Sequence, residues 1–139
     1  MVQLIVGKKG KGKTKCLLDK VNEEVKNILG NVVFLDKNTK HMYELNNKIR
    51  LIDVHEFGIE STEAFFGFVA GIISQDHDLQ QIYMDSFLDI SCLGDGDISA
   101  TVAKLEKLSE KYSIDMILSI STDKQDIPEN LKSSVIISL

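Results

Sequence analysis

Apolar and polar positions follow two rhythms along the chain. "VQLIV" (2–6), "NVVFLD" (31–36), "QQIYMD" (80–85), "IDMILSIS" (114–121) and "SVIISL" (134–139) are short apolar runs rich in β-branched residues. Such runs predict strands, those at 2–6, 31–36 and 80–85 buried. Between them, apolar residues recur at helical spacing. Leu17, Leu18, Val21, Val25, Ile28 and Leu29 follow the first run, and Gly30 supplies a stop. "STEAFFGFVAGIISQ" predicts a helix capped by Ser61 or Thr62, and "DISATVAKLEKLSEKY" (97–112) one capped by Asp97. Strands alternating with helices predict a three-layer α/β domain with a mainly parallel five-stranded sheet.

One stretch breaks the rhythm. "MYEL-NN-KIRLIDV" reads as two strands around Asn46-Asn47. Asparagine tolerates the positive φ of a tight turn, so a β-hairpin insertion is expected here. Gly67 and Gly71 form a G-x-x-x-G inside "AFFGFVAGII" (64–73). That run is shorter than the roughly 20 residues of a membrane span. It predicts no membrane insertion but a helix buried on most sides, its glycines packed closely on the sheet.

The chain has 139 residues, 43% of them apolar, with one proline and no visible repeat or linker. A single domain over 1–139 is expected. The chain enters a strand almost at once, leaving no room for a targeting segment. Cys16 and Cys92 lack metal-ligand spacing, so reduced thiols and a cytoplasmic location are expected. His41, His55 and His77 read as surface residues, and "GDGD" (94–97) lacks the rest of a calcium loop.

Charge sharpens the picture. The net charge is −5, yet residues 8–15 hold five lysines and no acid, so the rest of the chain carries −10. Nucleic acid is not indicated, because a general binder presents a wider basic face. A small anion bound at one place fits better. Gly7, Gly12, Lys13 and Thr14 of "GKKGKGKT" satisfy G-x-x-x-x-G-K-[ST], between a buried strand and a helix. The glycines let several N–H groups converge on one anion, and the helix adds its positive end. Lys13 is placed to reach the β and γ phosphates, and Thr14 to ligate Mg²⁺. Gly10, Lys8, Lys9, Lys11 and Lys15 complete the nucleotide-binding stretch, the last four as steering charge. "IYMD" ends a buried strand in Asp85, the candidate second ligand of Mg²⁺.

With these residues in hand, the chain resembles the P-loop NTPase superfamily. "GKKGKGKT" matches its Walker A motif and "QIYMD" its Walker B, in an element order similar to the RecA-like branch. "IVGKKGKGKTKCLLD", "NVVFLDK" and "MYELNNKIRLIDV" also look like small single-domain bacterial ATP-binding proteins often labelled twitching motility protein PilT. True pilus-retraction motors resemble the chain only in the nucleotide core. The resemblance implies ATP and Mg²⁺ as ligands and a slow ATPase. Many relatives place a glutamate after the Walker B aspartate, where this chain has Ser86; RecA-like relatives place it beyond the second strand, near Asp36, Lys37 and Asn38. Asp36 is therefore the candidate water-orienting residue, with Asp89 and Glu56 as alternatives. Ser121 and Thr122 stand where relatives carry a γ-phosphate sensor. Arg50, the only arginine, lies near the predicted turn, suited to a neighbouring subunit rather than its own nucleotide.

Three rivals follow. "DKQD" (123–126) is one residue from the guanine-reading N-K-x-D of GTPases, with Asp123 in place of asparagine. A small-molecule kinase would require an arginine-bearing lid. A nucleotide-gated binding module, with a protein partner or a homo-oligomer at the hairpin, would need little or no hydrolysis.

Overall fold

The computed structural model describes residues 1–139. Six strands form one sheet: β1 (Val2–Val6), β2 (Asn31–Asp36), β3 (Ile49–Asp53), β4 (Leu79–Met84), β5 (Asp115–Ile120) and β6 (Val135–Ser138). Their spatial order is β3-β2-β4-β5-β1-β6, and every neighbouring pair is parallel. The helices are α1 (Lys13–Glu24), α2 (Thr62–Ser74), the single turn α3 (Phe87–Ile90) and α4 (Ile98–Tyr112).

Because parallel strands connect through crossovers, both faces of the sheet need cover. Alternation along each strand supplies two cores. Val2, Leu4 and Val6 of β1 point to one face with Leu35, Met84 and Leu118, where Phe65 and Val69 of α2 and Val102 and Leu105 of α4 pack. Ile5, Phe34, Tyr83 and Ile117 point to the other, against Leu17, Leu18 and Val21 of α1. Each cluster of buried side chains is worth roughly 1.5–3 kcal/mol per large residue removed from water.

The hairpin does not form. Met42–Glu44 is a turn of 3-10 helix, and only Ile49–Asp53 becomes a strand, pairing in parallel with β2. The sheet therefore has six parallel strands rather than five and a hairpin. The physical reason lies in how the asparagines are used. Asn22 of α1 donates to the Glu44 carbonyl (2.7 Å) and accepts from the Asn46 N–H (2.8 Å). Asn46 Oδ1 in turn accepts from the Lys48 N–H (2.9 Å), an Asx-type turn. Neither asparagine has a positive φ. Asn46 serves hydrogen bonding, and the pair does not adopt the mirror-image backbone of a two-residue hairpin.

The glycines of α2 also depart from expectation. One stripe of this helix is buried, through Phe65, Val69 and Ile73. Gly67 and Gly71 face outward, and a Cβ at either would meet nothing within 4 Å. α2 is thus half covered, and its glycines carry no close packing on the sheet. The caps fare as the residues suggest: Ser61 accepts from the Ala64 N–H and Asp97 from the Ser99 N–H, both at the helix starts. No helix is long and apolar enough to cross a membrane.

The connections position the site. The segments leaving β1 and β2 pack on the α1 face, through Leu17 and Leu45; those leaving β4 and β5 pack on the opposite face, through Phe87 and Ile127. The chain therefore diverges to opposite faces between β5 and β1, and again between β2 and β4. Such switch points open crevices at the carboxyl ends of the strands, where α/β sheets bind ligands.

Candidate functional site

The glycine-rich loop, residues 7–12, leaves the carboxyl end of β1 at the first switch point and feeds α1. Gly12 is the residue before the helix, with φ +99°, a conformation that side chains rarely adopt. Gly7 is favoured for a different reason. A Cβ there would stand 3.0 Å from Leu139 Cβ and 3.2 Å from the Leu139 carbonyl oxygen, where the chain following β6 closes on β1. No side chain caps the first turn of α1, and no acid sits in it. Its leading N–H groups keep their donor capacity and its positive end is uncompensated.

Lys13 is buried, 7% exposed, in a chain whose other lysines are mostly on the surface. Its Nζ donates to the Lys8 carbonyl at 3.0 Å, folding the side chain back under the loop. Burial lowers its pKa, and the nearby Asp85 carboxylate opposes that shift. Lys8 Nζ pairs with Asp123 at 3.3 Å, tying the loop to the segment after β5, and Lys15 pairs with Asp19 along α1. Lys9 and Lys11 are exposed and unpaired.

Asp85 directly follows β4 and is 3% exposed. Its N–H donates to the Leu35 carbonyl, fixing it beside β2. Its carboxylate accepts from Thr14 Oγ1 at 2.9 Å and from Ser119 Oγ at 2.5 Å. The first bond joins the start of α1 to the strand-end acid, across 71 residues of sequence. The second comes from β5, the strand lying between β4 and β1. Ser119 also accepts from the Ser86 N–H (2.9 Å), and Ser86 holds a left-handed φ of +51°. Ser119 is a site residue that sequence reasoning missed. Its signal was a lone hydroxyl inside "MILSI", where every neighbour is apolar.

Asp36 ends β2, the neighbour of β4, and is 2% exposed. One oxygen accepts from the Lys37 N–H at 2.7 Å, and the other, Oδ2, has no partner. Burial chiefly, with a contribution from the Asp85 charge, pushes its carboxyl up to about 6; the Lys37 N–H and the charges of His41 and Lys37 hold it from rising further.

Beside the loop lies a cleft of about 310 Å³, bounded by Lys8, Lys9, Lys37, Ser86, Leu88, Asp89 and Ser121. Lys8 and Lys9 of the loop, Ser121 and Asp89 line this cleft; Lys13, Thr14, Asp85 and Asp36 do not, although Thr14 bonds Asp85 and the Asp85 charge acts on Asp36. Asp89 is exposed and paired with His55 Nε2 at 3.2 Å. Thr122, Glu56 and Arg50 do not line the cleft. Glu56 and Arg50 border a separate groove by β3, with Arg50 on that outermost strand. No group of three or more His, Cys, Asp or Glu side chains is arranged to hold a metal ion. The oxygens of Thr14 and Asp85 are a hard two-donor set, of the kind that suits Mg²⁺ when phosphates and waters supply its remaining ligands. No protein-family model matches the chain, and no curated protein matches it either.

Proposed function

We propose that this chain is a P-loop nucleotide-binding protein of the RecA-like kind, binding ATP with Mg²⁺ and hydrolysing it slowly. The reading rests on the 2.9 Å hydrogen bond between Thr14 and Asp85. A glycine-rich turn alone is only a turn, and an acid at a strand end is only a cap. Joined at a switch point, they form an oxygen pair beside a buried lysine and an uncapped helix start, a grouping that suits a polyphosphate and its cation.

Lys13 would exchange its bond to the Lys8 carbonyl for phosphate oxygens, which relieves the cost of a buried ammonium. The loop and the first turn of α1 would hold the phosphate chain by backbone N–H groups. Thr14 and Asp85 would hold Mg²⁺, which when bound neutralises charge on the transferred phosphoryl group. Asp36 would orient the attacking water once nucleotide binding opens its buried, unpartnered Oδ2 to the cleft; a carboxyl pushed up to about 6 is better matched to proton transfer near neutral pH than an ordinary one. Slow turnover follows from the absence of arginine at the cleft and from Ser86 in place of a glutamate.

A second reading, a nucleotide-gated protein-binding module with little or no hydrolysis, is favoured by one observation. Asp89, the carboxylate lining the cleft, is engaged by His55. A GTPase reading is weaker, because Asp123, which replaces the guanine-reading asparagine, is paired with Lys8. Phosphate release from ATP and from GTP, with and without Mg²⁺, separates these. Slow Mg²⁺-dependent release from ATP supports the proposal. ATP binding without release passes the case to the gated module, and a preference for GTP overturns the choice of base.

A further inference from the structure

We infer that Lys37 reads the terminal phosphate of the bound nucleotide and sets the preference for triphosphate over diphosphate. The inference rests on the proposed nucleotide site and adds to it a residue outside the loop and outside the acid pair.

Three lysines border the cleft, and they are not alike. Lys8 is paired with Asp123, and Lys9 is fully on the surface. Lys37 is half-buried and forms no ion pair. Its neighbour Asp36 accepts the Lys37 backbone N–H, and the ammonium donates to no protein acceptor. The Asp36 carboxylate feels its charge but forms no ion pair with it, so the ammonium keeps its donors for an anion entering the cleft.

Topology says which anion. The loop and the start of α1 take the inner phosphates from the β1 side of the site. Lys37 comes from the other side, at the end of β2, beside β4 and Asp85. It faces the loop across the cleft, with Ser86 and Ser121 between. A phosphate chain held at the loop would present only its outermost group to a side chain on that far wall. Arg50, the sole arginine, cannot substitute: it sits on β3 paired with Val33, facing other grooves. Lysine meets the phosphate as a point charge rather than a two-pronged fork, so the discrimination should be moderate.

The test is to measure affinity for ADP and for a non-hydrolysable ATP analogue, both with Mg²⁺, in the unaltered protein, Lys37→Ala and Lys37→Arg. In Lys37→Ala, the analogue-to-ADP affinity ratio should fall about tenfold, the lower end for one charge-assisted hydrogen bond, with ADP affinity within about twofold of the unaltered protein. Lys37→Arg should retain most of the ratio. An unchanged ratio in Lys37→Ala overturns the inference, as does an equal loss for both nucleotides, which would make Lys37 part of the general field. Failure of the unaltered protein to bind either nucleotide overturns the site itself, and so is told apart from failure of Lys37.

Discussion

Asp85 and Asp36 end neighbouring strands and are equally withdrawn from water, at 3% and 2% exposure. Their surroundings are opposite. Asp85 is met by two hydroxyls, one from the glycine-rich loop's helix and one from β5. Asp36 has one backbone donor and one bare oxygen, and its carboxyl is pushed up to about 6. One carboxylate is anchored by the fold; the other is buried with one oxygen unpaired. Buried polar atoms without partners are rare, and Ser91 Oγ is the other one in this chain.

Removing the anchored carboxylate should have the larger effect. In Asp85→Ala, Thr14 and Ser119 lose their acceptor inside the protein. Stability should drop by about 2–4 kcal/mol in urea denaturation, the scale of charged hydrogen bonds lost with buried partners left behind. Nucleotide affinity in Mg²⁺ should fall roughly a hundredfold, and much less in EDTA. A variant as stable as the parent would show that the two hydroxyl bonds are not structural.

Asp36→Asn should act in the other direction on stability, and its effect should depend on pH. Below the ordinary carboxylate value of 3.8, the folded and unfolded chains are both protonated and no charge is buried. As pH rises to about 6, the unfolded chain has lost the proton that the folded chain keeps, so the parent loses stability. Above that, the full cost of a buried carboxylate persists. The melting temperature of Asp36→Asn relative to the parent should therefore rise between pH 4 and pH 7 and then level off. A gap independent of pH would contradict the uncompensated burial of Asp36. In a phosphate-release assay the same variant should lose most turnover; unchanged turnover removes Asp36 as the water-orienting residue.

Ser119→Ala tests the lesser anchor. It should cost about 1–2 kcal/mol, since it deletes a hydroxyl between Asp85 and the Ser86 N–H, and should weaken Mg²⁺-dependent binding only a few-fold. An effect as large as that of Asp85→Ala would place Ser119 at the centre of the site.

How far the sequence disclosed this comparison depends on the kind of signal. The buried strands and the capped helices were legible because period and cap residues are local. The loop was legible for the same reason: its glycines and Thr14 stand at fixed spacing beside a strand and a helix. Asp85 was visible as an acid after an apolar run, but its contact with Thr14 depends on which strands are neighbours. Ser119 stayed hidden because a serine in a buried strand reads as an interruption until β5 is placed between β4 and β1. The Asn46-Asn47 turn was misread because asparagine serves two turn chemistries, and its partner, Asn22, lies on a distant helix. Gly67 and Gly71 were misread because spacing alone does not say which side of a helix faces the core.

The smallest effect concerns the exposed charges. Lys8→Gln with Lys9→Gln should slow nucleotide association a few-fold at low ionic strength and flatten its salt dependence, because the surrounding molecule is acidic. Stopped-flow association across a salt series reads this directly. An unchanged slope would mean that the loop charge steers nothing.

The most direct test of the account is a calorimetric titration of ATP, with Mg²⁺ and with EDTA, into the parent and into Lys13→Ala. Saturable one-site binding is expected, strengthened by Mg²⁺ and weakened roughly a hundredfold in Lys13→Ala, the cost of a buried charged hydrogen bond to phosphate. No saturable binding by the parent, or equal binding by Lys13→Ala, would contradict it.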